Sequence, residues 1–204
     1  EKISNFECKD WIINKHYAKR MCSISYAYGL FIDGQLNGVC TFGFPPNYNY
    51  NNGKCVFNSF GCLTLELNRL VVNDGLPKNT LSYFVSQSLK MLPKPSCIVS
   101  YADQNQGHNG YIYQATNWMY QGYNLGIMDN YGIKLEPDGK WIHSRTVYEM
   151  FGSGNLNHLK SRIGHTFWRR KEPRKHRFFY LLGSKSQKKK VIKRCPKGEK
   201  KDKK

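Results

Sequence analysis

The rhythm of apolar and polar positions changes often enough along this chain to delimit its elements. Residues 6 to 19 put Trp11, Ile12 and His16 on one helical face with Tyr17 beside it. Ile24 to Ile32 and Leu36 to Phe44 alternate as strands do, and Asp33-Gly34 between them is a dipeptide that favours a tight hairpin turn. Residues 45 to 62, rich in Pro, Asn, Tyr and Gly, predict a long loop of the kind that is functional or mobile. Cys62 to Val72 reads as a central strand, and Lys78 to Leu92 as an amphipathic helix bounded by Pro77 and Pro93. Further on, a strand over Cys97 to Ala102, a helix from Gly110 to Trp118 and a strand from Met119 to Leu125 are expected. They are followed by a strand over Lys140 to Tyr148, a short helix over Asn155 to Ile163 and a last strand over Arg177 to Leu182. This order predicts an α/β (α+β) fold, a mixed central β-sheet flanked by helices.

One break in the pattern is abrupt. The apolar run ending at Ala102 gives way to Asp103-Gln-Asn-Gln-Gly-His108-Asn109, and helical periodicity then resumes with Tyr111, Ala115 and Trp118 on one stripe. Ser100, Tyr101, Asp103, His108 and Tyr113 therefore converge near a strand end and a helix start, where open sheets place ligands. Five polar or titratable side chains at such a point predict a site.

Charge refines the picture more than the total of +18 suggests. Residues 1 to 159 hold 13 Lys or Arg against 11 Asp or Glu, whereas residues 160 to 204 hold 19 against 3. A positive field so concentrated suits a polyanion, with counterion release as the driving term. Ser184 to Lys204 fits a solvated lysine-rich tail equally well, partly helical to Arg194. Residues 160 to 183 differ, because Arg169, Arg170, Lys171, Arg174, Lys175 and Arg177 interleave with Phe167, Trp168, Phe178, Phe179 and Tyr180, a mixture suited to phosphate contact and base stacking. The expected organisation is a domain over 1–183, with its DNA-binding part at 160–183, and a tail over 184–204. No apolar run approaches the roughly 20 residues that span a bilayer. Seven cysteines without a C-x-x-C pair argue against a disulfide framework or a cysteine zinc site, so most are expected to be reduced, with Cys40 and Cys97 as core residues, and without a charged n-region followed by an apolar h-region a cell interior is the expectation.

The blocks Ser100-Tyr101-Ala102-Asp103, Gln106-Gly107-His108 and Tyr113, preceded by His16-Tyr17 and Glu66-Leu67-Asn68-Arg69-Leu70, come in an order that resembles the Mom family of phage DNA-modification proteins. Lys175-His176-Arg177-Phe178-Phe179-Tyr180 before a lysine run is similar to that family too. The resemblance spans most of the chain. It implies a GNAT-like fold with a basic C-terminal extension, and an activity that adds a carbamoylmethyl group to the exocyclic amine of adenine in double-stranded DNA, protecting phage or prophage DNA from restriction in the host cytoplasm.

The residues set terms for that chemistry. GNAT enzymes cradle the pyrophosphate of an acyl-CoA in a glycine-rich loop after the central strand. Here the loop is Asn73-Asp74-Gly75-Leu76-Pro77-Lys78-Asn79-Thr80; Pro77 lacks an N–H and Asp74 repels phosphate, which argues against acetyl-CoA. Lys78, Asn79 and Thr80 still offer charge and hydrogen bonds, and Arg69 and Ser100 join them as groups for a small-molecule donor of unknown identity. The adenine amine is weakly nucleophilic, so Asp103 is expected to accept from it while Tyr101 and Tyr113 stack on a flipped base or donate protons. His16 and Tyr17 complete the catalytic set. His16, His108 and Asp103 also have the donor types of a two-histidine, one-carboxylate iron site. His143, Ser144, Arg145 and Glu149 read as the solvated face of an edge strand. An ordinary N-acetyltransferase and a non-catalytic DNA-binding protein remain open as alternatives, and a homodimer is compatible with the sequence.

Overall fold

The computed structural model describes residues 1–45, 62–123 and 131–194; the predicted loop over 45–62 falls almost wholly outside them, as do Cys55 and Cys195. In chain order the elements are α1 (Asn5–Asp10), β1 (Tyr26–Ile32), β2 (Gln35–Gly43), β3 (Leu63–Val72), α2 (Thr80–Lys90), β4 (Ser96–Ala102), α3 (Tyr111–Ala115) and β5 (Met119–Tyr123). They continue with β6 (Tyr131–Lys134), α4 (Ser144–Phe151), α5 (Leu156–Ile163), β7 (Trp168–Lys171), β8 (His176–Leu182) and α6 (Lys185–Arg194). Two compact units divide them: residues 1–102, 109–122 and from 176 onward make the first, residues 103–108 and 123–175 the second.

The first unit is built on a six-stranded sheet in the order β1-β2-β3-β4-β8-β5, with β3 and β4 parallel and the pairs β1–β2, β2–β3 and β4–β8 antiparallel. Asp33 and Gly34 take positive φ of 50° and 74°, the pairing that a two-residue turn needs to match the twist of β1 and β2. Only a crossover can join parallel neighbours, and α2 supplies it between β3 and β4. Side chains alternate across the sheet. Ile98, Phe178 and Leu182 pack with Phe84, Val85 and Leu89 of α2 and Tyr113 of α3 in one cluster. Cys97, Phe179 and Leu181 point the other way and bury Val191 of α6, while Val39 and Ala27 meet Cys8, Trp11 and Ile12 at the chain start. This is the mixed sheet flanked by helices that the pattern predicts.

The first helix departs from its predicted span of 6 to 19. Ser4 and Glu7 form a reciprocal capping box, and α1 runs into a π-helical turn over Trp11–Lys15. The His16 N–H then closes on the Trp11 carbonyl at 3.0 Å, and His16 itself is extended, with φ −73° and ψ 138°. His16 and Tyr17 therefore sit just beyond the helix. Cys8, Cys40 and Cys97 are buried free thiols. Burial pushes Cys40 up to about 12 and Cys8 to about 11, as befits core residues.

In the second unit β6 and β7 pair antiparallel, Ile142 bridges to Ile133, and Ile133, Val147 and Leu159 form a small core with Phe151 and Phe167. The strand predicted over Lys140 to Tyr148 is instead helix α4 from Ser144 onward. Its start is held by two side chains: His143 Nδ1 accepts from Arg145 N–H at 3.1 Å, and Glu172 accepts from both the N–H and the hydroxyl of Ser144 at 2.9 Å. Val147 and Phe151 face the core at helical spacing, and Gly152 closes the helix at φ 78°. His143 and Arg145 accordingly do not share a strand face.

Candidate functional site

Strands β3 and β4 pair from Leu63 with Ser96 to Glu66 with Val99. Beyond that point β3 continues along β2 to Val72, and β4 continues along β8 to Ala102. At this fork the Ser100 hydroxyl donates to the Leu67 carbonyl at 2.8 Å, replacing a ladder hydrogen bond. Because that uses the only hydrogen on Ser100 Oγ, the Tyr113 hydroxyl, 2.8 Å away, is the donor to it. Tyr113 enters from α3, with its ring between Trp118 and Phe178 at centroid distances of 5.1 and 4.9 Å. Burial raises its phenol well above the ordinary value, the Ser100 hydrogen bond opposes the shift, and the nearby Tyr17, Cys40 and Glu66 add to it. Tyr113 is therefore a neutral O–H donor across the physiological range.

His16 is 8% exposed, and its Nδ1 accepts the Ala18 N–H at 3.0 Å, so the neutral ring carries its proton on Nε2. It stacks on Tyr17 at 4.3 Å between centroids, and Tyr17, 44% exposed, presents the accessible aromatic surface. The stretch that follows is braced by the Glu66–Leu70 block. Arg69 donates to the carbonyls of Asn68 at 2.6 Å and Arg20 at 3.1 Å. Asn68 donates to Ser23 O at 2.7 Å while accepting from Thr41 at 2.6 Å. Sequence reasoning missed Asn68, since the need for a brace arises only when residues 20–23 run beside β3.

At the start of α2, Asn79 is left-handed at φ 68° and makes no side-chain cap, and no acidic residue lies in the first turn. Lys78 and Asn79 are exposed there, with Thr80 half-buried. Such a terminus tolerates an anion. Tyr101, on β4, is half-buried opposite Arg177 of β8.

Within the second unit Asp103 is 2% exposed. One carboxylate oxygen accepts the Asn105 N–H at 3.0 Å and the other meets Lys175 Nζ at 2.7 Å, while the Asp103 carbonyl takes the N–H groups of Gln106 and His108. His108 is exposed at the end of that turn. Asp103 and His108 thus share one tight loop, and Lys175 is engaged by Asp103. His16 belongs to the first unit. Among the described residues, no three His, Cys, Asp or Glu side chains form a group that could hold a metal ion.

The basic residues expected to meet DNA separate into distinct settings. Arg169, Arg170 and Lys171 are exposed along β7, and Arg174 is exposed beyond it. Arg177 is half-buried within β8 of the first unit, with its Nε buried and unpaired. The aromatic partners read from the sequence need correction: Phe178 and Phe179 are core residues, Tyr180 and Phe167 are half-buried against the two cores, and Trp168 is the exposed one of the five. Strand alternation explains this, since β8 is covered on both faces.

No helix among the described residues is long and apolar enough to cross a membrane. The methylcarbamoylase mom of Escherichia phage Mu is 31% identical to this chain over 152 residues, an alignment that takes in 72% of the chain and 60% of that relative. The chain thus spans about three-fifths of the length of the curated relative it matches. The family described as Mom protein family matches residues 1–197, and the chain belongs to it.

Proposed function

We propose that this chain is a DNA-modification enzyme that transfers a carbamoylmethyl group to the exocyclic amine of adenine in double-stranded DNA, shielding phage or prophage DNA from restriction in the host cytoplasm. The observation that carries this reading is the family match over residues 1–197, which takes in the His16-Tyr17, Glu66–Leu70 and Ser100–Asp103 blocks together. A GNAT-like reading of the first unit is supported by the parallel β3–β4 pair that is joined through α2 and forks after Glu66 and Val99.

In this reading the adenine amine nitrogen bonds to the carbamoylmethyl carbon as that carbon's bond to the donor's leaving group breaks, the leaving group keeping the electron pair, and the Asp103 carboxylate, 2.7 Å from Lys175 Nζ, accepts the proton that the nitrogen loses. Within the first unit, Tyr17 offers an exposed ring on which a base can stack, with His16 against it. Tyr113 and Ser100 fix the fork as a donor chain, and Arg69 positions the segment after Tyr17. Lys78, Asn79 and Thr80 receive the anionic part of the donor molecule. Acetyl-CoA fits poorly, because Pro77 removes an N–H from the loop and Asp74 adds negative charge. Arg169, Arg170, Lys171 and Arg174 supply phosphate contacts.

Plasmid DNA recovered from cells expressing the chain, challenged with restriction endonucleases whose sites contain adenine, tests the reading. Protection is expected with the native chain and loss of protection with Asp103→Ala. Full cleavage of DNA from cells expressing soluble native chain would overturn it.

A further inference from the structure

The exposed face of β6 and β7 holds a ladder that the reading above does not use. Paired residues of an antiparallel ribbon lie on the same face, so Lys134 and Trp168 share one side with Gly132 and Arg170. The other side holds Ile133, fully buried in the small core. Trp141 joins the open side because Ile142 bridges to Ile133, and the lack of a side chain at Gly132 lets this segment approach; a Cβ there would stand 3.0 Å from the Ile142 carbonyl. The Arg170 guanidinium lies 4.2 Å over the Trp141 ring, and Lys134 Nζ lies 5.6 Å from Trp141 and 5.2 Å from Trp168. Two indoles and two cations thus alternate along one surface.

A ring–cation stack of this kind leaves each group with a specific capacity. A guanidinium flat on an indole directs its N–H donors sideways, the geometry that phosphate oxygens accept. Trp141 and Trp168 are 37% and 39% exposed, so each indole is open in part to a planar partner. Glu172, the carboxylate next after β7, accepts from the Ser144 N–H and hydroxyl and lies 3.4 Å from His143 Nε2. Base faces are inaccessible in an intact duplex and open where a strand is unstacked.

We infer that this face is a stacking platform for unpaired nucleotides, with Trp141 and Trp168 under bases and Arg170 and Lys134 on the flanking phosphates. The inference rests on the DNA-modification reading, which requires a disrupted duplex around the extruded adenine.

Intrinsic fluorescence of the full chain tests it without any donor molecule, because Trp11 and Trp118 are buried and Trp141 and Trp168 are the accessible indoles. Titration with a mixed-sequence single-stranded oligodeoxynucleotide is expected to quench the emission, and with its blunt duplex to quench it far less. Read by the anisotropy of a dye-labelled oligodeoxynucleotide, replacing Trp141 and Trp168 together by Leu is expected to weaken single-strand binding by about tenfold or more, whereas Phe at both positions retains most of it. Arg170→Ala is expected to lower the salt slope of single-strand binding by about 0.7. Native-like single-strand affinity in the Leu pair, or equal quenching by duplex and single strand, overturns the platform. DNA modification without quenching would remove the platform and leave the enzyme reading standing; quenching without modification would do the reverse.

Discussion

Tyr113 donates to Ser100, and Ser100 in turn donates to the Leu67 carbonyl, so two buried hydroxyls and one backbone acceptor form a directed chain across the fork between β3 and β4. The direction has consequences for mutation. Tyr113→Phe removes the donor and leaves Ser100 with its bond to Leu67, a loss of about 0.5–1.5 kcal/mol. Ser100→Ala strands both the Tyr113 O–H and the Leu67 carbonyl inside the protein and is expected to cost more, about 1–3 kcal/mol. Urea denaturation of the two variants checks the order.

The same burial makes stability sensitive to alkali. Tyr113 is raised above its ordinary value, Tyr28 to about 12 and Cys40 to about 12, in each case mainly by burial. Once pH passes the unfolded values, 9.0 for a thiol and 10.0 for a phenol, the unfolded chain releases protons that the native state retains. Stability from these groups is therefore complete below about pH 9 and falls as pH rises through the window up to 12. Melting temperature measured at rising pH should show this fall, and Cys40→Val with Tyr113→Phe should flatten it.

Removing the cation from Asp103 leaves a carboxylate that is 2% exposed with one remaining N–H partner. Lys175→Met is expected to destabilise the chain by about 1–3 kcal/mol, below the full cost of breaking a buried pair because the lysine side chain is itself 32% exposed. Lys175→Arg should recover most of the loss. Thermal unfolding of the two variants decides it.

Gly110 and Gly107 bracket the loop end and differ in what surrounds them. Both have positive φ, 82° and 68°, but a Cβ at 110 would lie 2.3 Å from the Phe178 ring, while one at 107 meets nothing. Gly107→Ala should cost about 1 kcal/mol of backbone strain. Gly110→Ala adds overpacking in the core and should cost about 2–4 kcal/mol. Calorimetry on both variants separates the two terms.

The cationic helix α6 has Lys185, Lys189 and Lys193 four residues apart and no acidic residue. Like charges at this spacing destabilise a helix by a few tenths of a kcal/mol per pair, which a polyanion would relieve. Lys189→Glu should therefore raise helix stability slightly while weakening duplex DNA binding and its salt dependence. Weaker binding with an unchanged salt slope would deny the helix a role in phosphate contact.

Local signals made the first unit largely legible. Asp33-Gly34 marked the hairpin and Pro77 and Pro93 bounded α2, while in the second unit the break at Asp103 located a tight loop. The second unit was harder, for physical reasons. Trp168-Arg-Arg-Lys171 has no strand composition and forms β7 only because Tyr131–Lys134 offers a partner. Residues 140–148 alternate like a strand, yet the caps from His143 and Glu172 favour a helix, and Glu172 lies 28 residues from Ser144. The pairing of Asp103 with Lys175 and the stacking of Arg170 on Trp141 likewise join residues distant in sequence. Spacing rules do not reach that far, whereas the Ser100–Tyr113 bond, set by adjacent elements, lay within the predicted crevice.

The most direct test of the account is mass spectrometry of nucleosides released from the DNA of cells expressing this chain, beside cells expressing Asp103→Ala. The account predicts a deoxyadenosine heavier by one carbamoylmethyl group with the native chain, absent from the variant, and the other three nucleosides unchanged. Unmodified deoxyadenosine in both samples, with soluble native chain present, would contradict it.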